Sequence, residues 1–217
     1  MPVKKAGGPA PARSQSRGKL VATVDELFKA GLITPTGGNV SVRRPGGALI
    51  TPSGRHKGSL RPEDLVEVNI TGRPETPGAR PSVETGMHLL IYRRRPDVNA
   101  VIHTHAPMAT LLGLLDLPVP PVTLDAVRFT DLPSVPFAMP GSDELAEAVA
   151  DRLAAAPAAL LRNHGLLTVG ADLRAAADAA LALEEVAHLV VTCRLLGQEP
   201  STIPPEAVEA LKKLFIG

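Results

Sequence analysis

A mixed α/β chain folded as one layered domain, with antiparallel or mixed pairing in its sheet, is predicted by three observations. Helical and strand periodicities alternate irregularly along the 217 residues. Several candidate strands are joined by connections too short for helical crossovers. No repeat of fixed period and no shift of composition divides the chain after its N-terminus. With 44% apolar residues, a chain of this length can bury one sizeable core. Tyr92 is the single tyrosine and tryptophan is absent, so that core must be built mainly from Ala, Leu and Val.

The first helix is predicted from Lys19, where Leu20, Val21, Val24, Leu27 and Phe28 repeat with helical spacing until Gly31. Val40 to Arg43 alternates with period two, a Pro-Gly-Gly turn follows, and Ala48-Leu49-Ile50 makes a second strand. Thr51 to Gly54 reads as a loop, Pro62-Glu63-Asp64 as a helical first turn, and Leu65 to Ile70 as another strand. Arg73 to Pro81 holds three prolines and is read as a loop, after which Ser82 is the expected N-cap of a helix carrying Glu84, Met87, His88 and Ile91. Pro96 ends that helix, and the strand Val98 to Ile102 leads into His103-Thr104-His105. Met108 to Leu115 is a short helix, Pro118 to Pro140 a proline-rich crossing, and Ser142 the cap of the next helix, with Asp143 and Glu144 complementing its positive end. Ala158 to Leu161 and Leu166 to Val169 are strands, and an alanine-rich helix runs from Asp172 to about Leu196, before Gly197. Leu181, Glu184, Glu185 and His188 give that helix a polar face; Ile203 to Gly217 receives no role.

Composition excludes some functions. The formal net charge of +1 gives no bulk attraction to nucleic acid or to an anionic membrane, and neither partner is expected. Lys4-Lys5 and Arg93-Arg94-Arg95 are local clusters, the second read as a solvated helix end. Cys193 is the single cysteine, which forbids an intrachain disulfide and fits a cytoplasmic location. Residues 1–18, rich in Pro, Gly, Ala, Ser and basic side chains, read as a disordered extension without an apolar stretch of signal-peptide length, leaving 19–217 as the domain. No segment approaches the roughly 20 apolar residues that span a bilayer.

The chemistry centres on His103-Thr104-His105. Successive strand side chains alternate between faces, so both imidazoles point the same way and can converge on Zn²⁺ or a similar divalent ion. With six histidines in the chain the pattern arises by chance about one time in seven, so further ligands must be found elsewhere. Glu84 and His164 are the candidates. His164 precedes Gly165 at a strand end, where a turn can aim its ring across a cleft; taken alone it reads equally as a bonded structural histidine or a ligand. Glu84 taken alone reads as a solvated glutamate at a helix start. Together, three imidazoles leave an open coordination position of the kind a catalytic site keeps. His88, one turn after Glu84, is a further but unnecessary candidate, His56 is expected to be exposed, and His188 to pack or face solvent.

Several stretches carry a resemblance: Gly38-Asn39-Val40-Ser41-Val42-Arg43, Ile50-Thr51-Pro52-Ser53-Gly54, Pro81 to His88, Arg95-Pro96-Asp97, Ala100 to His105 and Leu160 to Gly165. In these the chain resembles the class II aldolase/adducin family, over nearly everything after residue 18. The resemblance implies a three-layer α/β/α domain with a central, mostly antiparallel sheet, and a homotetramer with active sites at subunit interfaces. It further implies that His103, His105 and His164 bind the divalent metal (Zn²⁺, Mn²⁺ or Co²⁺) and that Glu84 is the acid/base. Gly38, Asn39, Ser53, Gly54 and Ser82 fall where sugar-phosphate members hold the phosphate. The implied reaction is aldol-type carbon–carbon cleavage of a small hydroxy-carbonyl substrate, a sugar phosphate, through a metal-stabilised enediolate. Decarboxylation or dehydration on the same fold is the alternative, and a non-catalytic binding module the third reading.

Two positions depart from the family pattern. Val83 stands where sugar-phosphate aldolases commonly have a second serine, and Leu124 falls where fuculose-phosphate aldolases carry a proton-donating tyrosine. A structural zinc site is disfavoured, because it would close with a fourth, often thiolate, ligand, and Cys193 lies on a distant helix.

Overall fold

The computed structural model describes residues 10–215. Seven strands form one sheet in the order β3-β2-β1-β4-β7-β6-β5: β1 (Asn39–Arg44), β2 (Gly47–Ile50), β3 (Val66–Asn69), β4 (Ala100–Thr104), β5 (Ser134–Val135), β6 (Ala158–Leu161) and β7 (Gly165–Gly170). Every neighbouring pair is antiparallel except β5 and β6. The antiparallel or mixed pairing expected from the short connections is present, and the sheet is mostly antiparallel, as the family resemblance implies.

Alternation along the strands makes two cores. Leu49, Ile102, Leu160 and Leu166 point to one face, where they pack with α1 (Ala10–Lys29), α3 (Pro107–Leu115) and α5 (Leu173–Leu195). Ile50, Val101, Leu161 and Leu167 point to the other, against α2 (Thr85–Arg94) and α4 (Asp143–Leu153). A sheet apolar on both faces must be covered on both, which is the three-layer α/β/α arrangement. With few aromatics, the core closes through alanine. Ala176, Ala177, Ala179 and Ala180 let α5 lie close enough to β7 for Thr168 Oγ1 to donate to the Ala176 carbonyl, at 2.9 Å.

Four expectations need correction. The boundary of the N-terminal extension at residue 18 falls inside α1, and residues 1–9 lie outside the described residues. Arg17 anchors the early part of that helix, donating to the Pro62 and Leu65 carbonyls and to Glu67. Ser82 does not cap α2. The helix begins at Thr85 with Glu84 at the cap position, because the Glu84 carboxylate is engaged across the sheet, and Ser82 holds the preceding turn by accepting from Thr85 N (3.1 Å) and Glu84 N (3.3 Å). The proline-rich crossing contains a 3-10 helix at Asp125–Phe129 and the edge strand β5. Finally, the C-terminal stretch forms α6 (Pro205–Phe215), which buries Val208 and packs against that 3-10 helix.

The remaining boundaries agree. Ser142 Oγ accepts from Leu145 N, the side-chain cap expected at α4, and Asp172 Oδ1 accepts from Ala175 N at the expected start of α5. Glu184 is more than a surface charge: its carboxylate accepts from Met108 N and Ala109 N, capping α3 immediately after the histidine strand.

Candidate active site

Register brings the site together. Asn39 of β1 lies opposite His103 of β4, and Thr104 lies opposite Leu166 at the start of β7, so three neighbouring strands deliver Asn39, His103 and the turn carrying His164 to one end of the sheet. In that turn Asn163 adopts φ +58°, a left-handed conformation that asparagine tolerates better than most residues. Gly165 follows where a Cβ would stand 2.2 Å from the Thr104 carbonyl oxygen, so only glycine lets the turn approach β4 this closely. Gly37 does the same for His105, whose Nδ1 would lie 2.5 Å from a Cβ there.

The His103 and His105 rings share one face, as the spacing predicts, and His164 converges with them. Centroid separations are 4.5 Å between His103 and His164, 5.0 Å between His103 and His105, and 5.6 Å between His105 and His164. One nitrogen from each lies within 4.8 Å of the others, a span that a single ion can bridge. His103 is fully buried, and its Nδ1 is paired with the Leu166 carbonyl at 3.1 Å, which fixes Nδ1 as the protonated nitrogen and leaves Nε2 open and without a partner. Burial, reinforced by His164 and His105, holds the His103 ring well below the usual histidine range, and burial and His164 lower His105 likewise. Neutral imidazoles are the form that binds metal.

Glu84 faces this cluster. Its Oε2 accepts from Asn39 Nδ2 at 2.7 Å and lies 3.5 Å from His103 Nε2, while Oε1 lies 3.6 Å from His164 Nε2. The residue is 4% exposed, and Oε1 has no hydrogen-bond partner. Orphaned buried acceptors facing one another cost folding energy unless something satisfies them, and a divalent ion fits that donor set.

The other expected residues fall nearby with distinct partners. Gly38 is at φ +80° where β1 begins, and Asn39 orients Glu84. Ser53 N donates to Arg80 O, Ser82 N to Thr51 O, and Thr51 N to Val40 O, so the segments bearing Gly38-Asn39, Ser53-Gly54 and Ser82 are stitched into one wall. Val83 is exposed beside Glu84, and Leu124 is exposed as well. His88 lies outside the three-histidine group. Its Nδ1 pairs with Ser41 Oγ at 2.7 Å, Ser41 Oγ pairs with Tyr92 OH at 2.7 Å, and burial lowers the His88 pKa to about 3. His56 and His188 are exposed. Sequence reasoning missed the Ser41–His88–Tyr92 chain and the buried Lys57; matched polar spacing on β1 and α2 was the signal for the first.

Comparison with known proteins agrees with this architecture. A family model described as the class II aldolase and adducin N-terminal domain matches residues 18–191. A 5-deoxy-D-ribulose 1-phosphate aldolase of Bacillus thuringiensis serovar kurstaki is 34% identical over 206 residues, 94% of this chain and 96% of that protein. An L-fuculose phosphate aldolase of Haemophilus influenzae is 36% identical over 205 residues, 94% of each chain. The solved structure of an L-fuculose 1-phosphate aldolase superposes with a TM-score of 0.86 at 30% identity, covering 94% of this chain and 97% of that one.

Proposed function

This chain belongs to the class II aldolase and adducin family, and from that membership we propose that it is a divalent-metal-dependent aldolase acting on a short ketose phosphate. The observation that carries the reading is the convergence of three imidazoles on the unpartnered oxygen of Glu84. His103, His105 and His164 would hold the ion, Zn²⁺, Mn²⁺ or Co²⁺ all suiting imidazole. When bound, the ion supplies the positive charge against which negative charge develops on the substrate oxygens as the carbon–carbon bond breaks.

The chain's own residues do the rest. Asn39 holds the Glu84 carboxylate toward the histidines, so that Oε1 can take up the proton the substrate hydroxyl releases as the bond breaks and pass it to the carbon that keeps the bonding pair. The wall of Gly38, Asn39, Ser53, Gly54 and Ser82 receives the phosphate and fixes the substrate's orientation. A homotetramer with interface sites fits the exposed apolar side chains Leu124, Leu195, Leu196 and Leu214. Both relatives above are named for ketose phosphates, one of them a 1-phosphate deoxygenated at C5, and these are the first substrates to test.

The deciding experiment is a screen of the Zn²⁺- and Mn²⁺-loaded protein against ketose 1-phosphates and against hydroxy and keto acids, scoring aldehyde and CO₂ release separately. Aldehyde without CO₂, abolished by chelation, is expected. Release of CO₂ from an acid, with no cleavage of any ketose phosphate, would replace the aldolase by a decarboxylase.

A further inference from the structure

Lys57 is 3% exposed, and among the described residues its ammonium meets no carboxylate. Its Nζ donates to two carbonyl oxygens, those of Pro52 at 3.0 Å and Arg55 at 3.3 Å. These residues flank Ser53-Gly54, so the loop bends around a buried cation. The backbone N–H of Lys57 donates to Pro35 O at 2.8 Å, tying the same residue to the turn that leads into Gly37-Gly38. Both glycine-bearing loops of the site wall are thus held by one lysine.

A buried ammonium without a counter-charge is unfavourable, and carbonyl dipoles offset only part of the cost. Burial accordingly pulls its pKa below the usual lysine value. A methionine or leucine would fill the same space without that penalty, so the positive charge needs a reason that packing does not supply. Arg55 and Arg80, the other cations of this loop pair, are exposed and screened by solvent.

We propose that Lys57 is the charge behind the phosphate wall: a positioning residue that shapes Ser53-Gly54 through Pro52 and Arg55 and supplies the positive potential that draws a dianionic phosphate ester there. The inference rests on the phosphate reading given above, and it assigns to Lys57 no contact with the substrate.

Two neutral substitutions test it in the metal-loaded enzyme. Lys57→Gln retains a donor for one carbonyl, and Lys57→Met retains the stem. Inorganic phosphate is titrated calorimetrically, and kcat and KM are measured with the best ketose phosphate of the screen. Both variants are expected to bind phosphate about tenfold or more weakly and to raise KM in proportion, with kcat within about twofold and metal content unchanged. Parental phosphate affinity in both variants would overturn the role of Lys57 while leaving the phosphate reading intact. Weakening in Lys57→Met alone would reduce that role to bracing and overturn the electrostatic part. Failure of the parent enzyme to bind phosphate, or equal KM for phosphorylated and unphosphorylated ketoses, would overturn both.

Discussion

Glu84 keeps one carboxylate oxygen on Asn39 and leaves the other, buried, facing His164. Glutamine in its place would still accept from Asn39, so geometry and metal content should survive while the ionisable oxygen is lost. Glu84→Gln is expected to lower kcat by about 10²- to 10⁴-fold, the usual worth of a positioned general acid or base, with metal stoichiometry by elemental analysis at the parental level. Full turnover in a metal-replete variant would remove Glu84 from proton transfer.

At the scale of elements, the carboxylate is placed by a match of two periods. Residues two apart on a strand advance about 6.6 Å, and residues four apart on a helix about 6.0 Å. Asn39, Ser41 and Arg43 of β1 therefore keep pace with Glu84, His88 and Tyr92 of α2. Asn39 bonds Glu84, Ser41 bonds His88 and Tyr92, and the Arg43 guanidinium lies 4.8 Å from the Tyr92 ring centre. This polar seam in an otherwise apolar layer sets how far α2 slides along the sheet. Ser41→Ala would leave His88 Nδ1 unpaired, at about 1–3 kcal/mol, and would remove one of the two partners of the Tyr92 hydroxyl. We expect urea unfolding to report a loss of about 2 kcal/mol or more, and a change below about 0.5 kcal/mol would mean that apolar packing alone sets the register.

Across the whole molecule, Glu67 ties α1 to the sheet edge. Its Oε1 accepts from Arg17 at 2.7 Å and its Oε2 pairs with Arg44, and those hydrogen bonds, led by Arg44, hold its pKa near 2 against a usual value of 4.5. A carboxylate depressed in the folded state contributes stability that is present above its unfolded pKa and is lost as pH falls toward the folded one. The advantage of the parent over Glu67→Gln should be level above about pH 5 and should decay between about pH 4.5 and 2. An advantage independent of pH across that window would show that the ion pairs are not its source. No described helix is long and apolar enough to cross a membrane.

Much of this was legible locally. Strand and helix periodicity located most elements because apolar spacing records which face is buried, and Ser142 and Asp172 announced helix starts because their caps are local bonds. His103 and His105 could be placed on one face from alternation alone. What the chain could not disclose at short range was decided by tertiary structure: that α1 extends back through Arg17, that Glu84 rather than Ser82 sits at the start of α2, and that Lys57 is buried. Each depends on a partner more than 15 residues away or on the closing of a loop, as in Glu84 reaching Asn39 45 residues earlier and His103 reaching Leu166 63 residues on. Sequence by itself determined the layered α/β class and the like-facing pair His103 and His105, since both follow from period and residue type, while His164 joined them only through the family resemblance. Only the packed sheet decided which nitrogen is open, which oxygen is unpartnered and which lysine is buried beneath the Ser53-Gly54 loop, because those are properties of desolvated groups and exist only once water has been excluded.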